Sequence, residues 1–137
     1  MHKKRNKTLL ISLLSTCINA YACTNAAHDS LPNNSEVTTS SGIYITTNVE
    51  GPFSVQEIEN KHTYAPAGKT IALPFGNSNK KWIKFKEIKE IDDQFYFIRN
   101  KSKTECCNNY LEKYVLVRNK CVISKYIVRS NGIVEGK

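Results

Sequence analysis

Cysteines stand at positions 17, 23, 106, 107 and 121 of this 137-residue chain, and their spacing is the first chemistry to weigh. Thiols pair, hold metals or act as redox nucleophiles, and the compartment and the neighbouring groups decide which. Metal ligation asks for a C-x-x-C spacing or a companion histidine, and neither accompanies these residues. Adjacent Cys106 and Cys107 close only a strained ring, so each is expected to reach elsewhere. Cys121 is the obvious partner for one of them, and the other pairs with Cys23 or stays free. A vicinal pair can also cycle between dithiol and disulfide, but its flanking sequence offers no activating environment for a thiolate.

Other catalytic arrangements find little support. Beyond residue 22 the histidines are His28, in a polar stretch, and His62, beside Lys61 in what reads as a turn. A nucleophile–histidine pair needs a third group to orient the ring, and a solvated surface His62 is the expectation. Asp92-Asp93 is the tight acidic pair, and a hairpin turn accounts for it better than glycoside hydrolysis does. "APAGKT" (65–70) lacks the first glycine of a phosphate-binding loop and leads into a strand rather than a helix. The chain reads as a non-enzyme without cofactor or metal.

The aromatic residues point instead to binding. Phe95, Tyr96 and Phe97 in succession put Tyr96 on the face opposite the two phenylalanines. Trp82 and Lys84 are expected on the neighbouring strand. Trp82, Lys84 and Tyr96 are therefore candidate partner-binding residues, as aromatic and basic anchors often are. The competing reading places Trp82 as a plug of the core with Tyr96 half-exposed on the sheet.

The N-terminus supplies the setting. Residues 1–7 carry Lys3, Lys4, Arg5 and Lys7, Leu9 to Leu14 form a short apolar core, and Ala20-Tyr21-Ala22 is an A-x-A cleavage triplet. That order is a secretory signal, 1–22, and its apolar run is well short of the roughly 20 residues a membrane-spanning helix needs. Cleavage leaves Cys23 first, where a bacterial lipoprotein carries its lipid. Ala22 suits such a lipobox, but Ala20 stands where a branched aliphatic is usual, and the alternative at Leu14–Cys17 has a poor Thr16 before its cysteine. Cysteine parity favours the other fate, since Cys23, Cys106, Cys107 and Cys121 can pair completely once Cys17 leaves. Both remain open. Loss of the four basic leader residues lowers the formal charge from +8 to +4. That excess is interspersed with acids and gives no nucleic-acid footprint, though an acidic protein partner or an anionic surface fits it.

Residues 23–42 are polar and read as a disordered tether. Residues 43–137 form one small domain. "GIYITTNV" alternates, with Ile43, Ile45, Thr47 and Val49 on one face. "FSVQEI" alternates through Phe53 and Val55. "KWIKFKEIKEI" fits either a strand or a helical stripe, and with Asp92-Asp93 it is taken as a β-hairpin. Asn119-Lys120 and Asn131-Gly132 are read as turns, the latter of type I′ before a last strand "IVE". The expected fold is all-β, a small antiparallel sandwich or barrel of about seven short strands, fastened by disulfides.

Such a chain is expected to be an exported envelope or periplasmic module that binds a protein. An inhibitor or immunity protein neutralising a toxin or lytic enzyme is the leading expectation. An accessory lipoprotein subunit of an envelope assembly, such as secretion, pilus or adhesion machinery, is the alternative. Nucleic acid is not expected as a partner, and membrane contact is expected only through a lipid anchor. The periplasm or outer membrane is the expected location, with secretion as the alternative. The loops at 60–70, 76–81 and 102–110 are candidate contact segments.

Overall fold

A computed structural model describes Cys23 and residues 29–132. The expected signal 1–22, tether residues 24–28 and the "IVE" strand lie outside the described residues.

The chain is mostly β. A five-stranded antiparallel sheet has the order β1-β2-β5-β6-β7, from β1 (Ser35–Thr38), β2 (Tyr44–Phe53), β5 (Gln94–Lys103), β6 (Asn108–Arg118) and β7 (Cys121–Asn131). Between β2 and β5 the chain leaves the sheet for α1 (Val55–His62), a small sheet of β3 (Thr63–Tyr64) and β4 (Leu73–Pro74), and α2 (Asn79–Glu87). These pieces form a second layer on one face, so the arrangement is sandwich-like and not a closed barrel.

Period-two patterning builds the large sheet. Phe95 and Phe97 face the helices with Tyr114, Leu116 and Tyr126, while Tyr96 and Ile98 face the other way with Val115 and Val117. The two faces thus carry separate apolar clusters. The helix-side cluster is strongly aromatic, with Trp82 in tilted contact with Phe75, Phe85 and Phe95, and Phe85 with Phe95. Such ring geometry adds to what area burial alone contributes. The turn at Asn119-Lys120 has both residues at positive φ, 50° and 68°, as a two-residue hairpin connection requires.

Two expected strands are helices. Ser54 begins α1 with a capping box: its Oγ accepts from Glu57 N at 3.2 Å, and Glu57 Oε2 accepts from Ser54 N at 2.7 Å. Ile58 is the buried residue of this helix, which rests on the sheet through it. In α2 the buried pair is Trp82 and Phe85, three residues apart, with Lys80, Lys81 and Lys84 outward. The expected hairpin there is corrected, because Ile91, which was to share the stripe, is 93 % exposed in the loop after α2. At the other end β7 continues through Asn131, so the expected type I′ turn at Asn131-Gly132 does not form.

The segment expected as a tether is partly built into the fold. Residues 29–34 run across the sheet face opposite the helices as a strap. At the β7 edge Leu31 N donates to Lys120 O at 3.1 Å and Val122 N to Asp29 O at 2.8 Å. Leu31 packs on the cluster of Ile98, Val115 and Val117. At the far side Asn34 Oδ1 accepts from Val49 N at 2.6 Å, and β1 then pairs with β2. One leucine and a ladder of backbone bonds were enough to order a segment whose composition is otherwise polar.

Candidate binding cleft

The helices cover only part of their face of the sheet. They stop at Phe97, over whose ring Lys61 and Arg99 both sit at 5.3 Å. Beyond it, alternate residues of three strands continue the same face: Tyr44, Thr46 and Asn48 on β2, Arg99, Lys101 and Lys103 on β5, Tyr110 and Glu112 on β6. Arg129 of β7 completes the wall opposite Glu112. Together they line an open cleft of about 640 Å³ with four cationic side chains and one carboxylate.

That carboxylate is committed. Glu112, with its side chain 7 % exposed, accepts from Arg99 Nε at 2.6 Å and from an Arg129 terminal nitrogen at 3.0 Å, and it also accepts from Arg129 Nε. The Arg129 bonds, then those of Arg99, bring its pKa down to about 2 from an ordinary 4.5 despite burial. Glu112 therefore fixes two guanidinium groups in place, and Arg129 also lies over the Tyr110 ring at 5.3 Å. The result is a preformed cationic floor with tyrosines at its rim, suited to carboxylate-bearing surfaces.

His62, the last residue of α1, is half-buried rather than a solvated surface residue, which corrects the expectation. Its ring stacks on Phe75 and its Nε2 lies 2.9 Å from Tyr114 Oη. Burial, then the Lys61 charge, lowers the His62 pKa, and burial raises that of Tyr114 to about 12. The pair is a neutral hydrogen-bonded link in the core at neutral pH. Among the described residues no three His, Cys, Asp or Glu side chains come together as metal ligands.

The sequence-derived candidates do not assemble into one surface. Trp82 is 0 % exposed in the core, its indole N–H donating to Glu59 Oε1 at 2.8 Å, so as a contact residue it is replaced by its role as a core plug. Lys84 lies on the outer side of α2. Tyr96 is on the other face of the sheet, packed against the strap-side cluster with its hydroxyl donating to Gln94.

The cysteines are also redistributed. Cys23 bonds Cys121, with Cα atoms 5.6 Å apart, and clamps the N-terminal segment to β7. Cys106 and Cys107 are exposed and outside that disulfide. They cannot reach Cys121, because they sit at the opposite end of β6, about 35 Å away at the rise of an extended strand. The cleft residues were missed because a net charge dispersed along the chain hides a local one. A signal was nonetheless present: in "FYFIRNKSK" the face that holds Phe95 and Phe97 goes on to Arg99, Lys101 and Lys103.

No family model, no curated protein and no solved structure matches this chain.

Proposed function

We propose that this chain is an exported protein-binding module that occupies an acidic partner, as an inhibitor or immunity protein does to a toxin or lytic enzyme. One observation carries the reading: part of a sheet face is left uncovered, and its floor holds Arg99 and Arg129, fixed by Glu112, beside Lys101 and Lys103. Such a surface steers an acidic partner in and orients it before close contact forms. The signal-like N-terminus supports export, and a Cys23–Cys121 bond is compatible with an oxidising compartment.

The second reading is an accessory subunit of an envelope assembly. Among the described strands β7 is an outer strand of the sheet, and an outer strand is the usual place for a neighbour to add one of its own. Lipidation belongs to this reading, and it excludes the disulfide, because the Cys23 sulfur cannot hold a thioether and Cys121 together.

A photo-crosslinking residue placed at 101 or 110 in cells that make the full chain tests the proposal. A discrete heavier adduct that Arg99→Glu with Lys103→Glu abolishes supports inhibition through the cleft. An adduct formed equally well from position 84 rejects the cleft. Adducts between copies of the chain from positions on β7 favour assembly.

A further inference from the structure

The hairpin that joins β5 to β6 turns through residues 104–107 and carries Cys106 and Cys107, the two free thiols among the described residues, at its exposed tip. Their sulfur atoms are 2.8 Å apart, Cys107 donating to Cys106. Thr104 braces the turn: its N–H donates to Cys107 O at 2.9 Å, its Oγ1 accepts from Cys107 N at 3.2 Å, and Oγ1 lies 3.4 Å from Cys106 Sγ. The folded turn thus supplies features of a reactive dithiol that the flanking sequence alone did not show, namely solvent access, a neighbouring thiol within reach and a hydroxyl beside one sulfur. The disulfide that holds the fold together is at the far end of β6 and is not involved.

We infer that Cys106 and Cys107 form a reversible two-electron redox site, in which Cys106 attacks and Cys107 resolves. The co-reactant is a disulfide of the surrounding compartment, small-molecule or protein. The Cys106 thiolate attacks one sulfur of that donor, forming a mixed disulfide and expelling one donor thiolate. Cys107 then loses its proton and attacks the Cys106 sulfur, closing the Cys106–Cys107 bond and expelling the second thiolate. Two electrons pass to the donor, which leaves as two thiols carrying the two protons. Hydrogen bonds from Cys107 and Thr104 hold the Cys106 thiol below its ordinary pKa, and the Cys106 bond raises that of Cys107, in keeping with this division of roles.

Adjacent residues hold their Cα atoms about 3.8 Å apart, below the usual disulfide span of about 4.4–6.8 Å, so the closed ring is strained and readily reduced again. The consequence reaches the cleft, because Lys103 and Asn108, on either side of the turn, line it. Ring closure re-forms the turn between them.

The test uses the full chain equilibrated with glutathione buffers of graded ratio, quenched in acid, alkylated and digested with trypsin. The peptide 104–113 holds both thiols and neither of the other two bonded cysteines. It is expected in two forms, doubly alkylated or unalkylated and two hydrogens lighter than the dithiol, exchanging over a range in which Cys23–Cys121 stays bonded. Cys107→Ser is expected to stop as a glutathione adduct on Cys106. Two alkylated thiols at every ratio, or a glutathione adduct as the end product in the unaltered chain, would overturn the site. Cys106→Ser capturing glutathione on Cys107 as fast as Cys107→Ser does on Cys106 would overturn the assigned order.

Discussion

Arg118 grips Asp93 with two parallel bonds, Nε to Oδ1 and a terminal nitrogen to Oδ2, each 2.7 Å long. The Asp93 side chain is 1 % exposed, and its Oδ2 also accepts from Glu90 N at 2.9 Å. The acidic pair that looked like a plain hairpin turn is thus split, with Asp92 outward and Asp93 fastening the lead-in of β5 to the end of β6. Asp93→Asn is expected to cost about 2 kcal/mol, since it unpairs a charge-assisted fork and leaves Arg118 with the exposed Glu90. Urea unfolding of the two forms at neutral pH measures it; equal midpoints would mean that the fork contributes nothing.

Acid should weaken the fold through Glu112. Its folded pKa of about 2 lies below the ordinary 4.5, so its stabilisation is fully present above 4.5 and is lost as pH falls toward 2. Asp93 acts in the same sense below its ordinary 3.8. Glu112→Gln is expected to be about 2 kcal/mol less stable at pH 7 and to show a flatter acid limb. Thermal melts from pH 7 to 2 should show the two forms converging at the acid end; parallel curves would reject this account.

Trp82 is the sole tryptophan, which makes it a built-in probe. Its emission is expected to be blue-shifted in the native chain and to move to the red in one step with far-UV circular dichroism. Trp82→Phe keeps a ring but drops the bond to Glu59, leaving that carboxylate to Lys86 at 2.7 Å, at a cost of about 1–2 kcal/mol. Trp82→Ala should cost about 3–5 kcal/mol. A small effect from the alanine variant would contradict its place at the centre of the aromatic cluster.

The strap and the disulfide are expected to act as a unit. Replacing Cys23 and Cys121 by serine should cost about 2–4 kcal/mol, because the bond ties residues 98 apart in sequence. Leu31→Ala should cost about 1–2 kcal/mol in the bonded chain and clearly less in the serine variant, whose strap is already loosened. Four denaturation curves close this cycle; additive losses would show that the strap binds without help from the disulfide.

What could be read in advance follows from how local each signal is. The alternation of Ile43 to Val49, the split of Tyr96 from Phe95 and Phe97, and the Asn119-Lys120 turn depend on nearest neighbours, and they were legible. The helix α1 carried its own mark, Ser54 with Glu57 three residues on, but the alternation of Phe53 and Val55 across that start masked it. The helix α2 was ambiguous because Ile83 and Phe85 alternate as a strand does. Only a sheet surface waiting for Trp82 and Phe85 decides for the helix, and that surface is made by residues from Phe95 to Tyr126, at least ten positions later. The cleft was least legible, since Arg99, Glu112 and Arg129 become neighbours only through strand register. Cys121 went to the wrong expected partner for the same reason, since only the length and course of β6 show that it lies far from Cys106 and Cys107 and beside Cys23.

The strap sets an order of events for a chain that emerges from its N-terminus. Cys23 and Asp29 to Asn34, early in the chain, have their seats on β7 and across β5 and β6, which are made much later. No early half of the chain can finish its own back face. The clamp between Cys23 and β7 can therefore shut only once Cys121 has been made, so the bond that fixes the start of the strap is a late event.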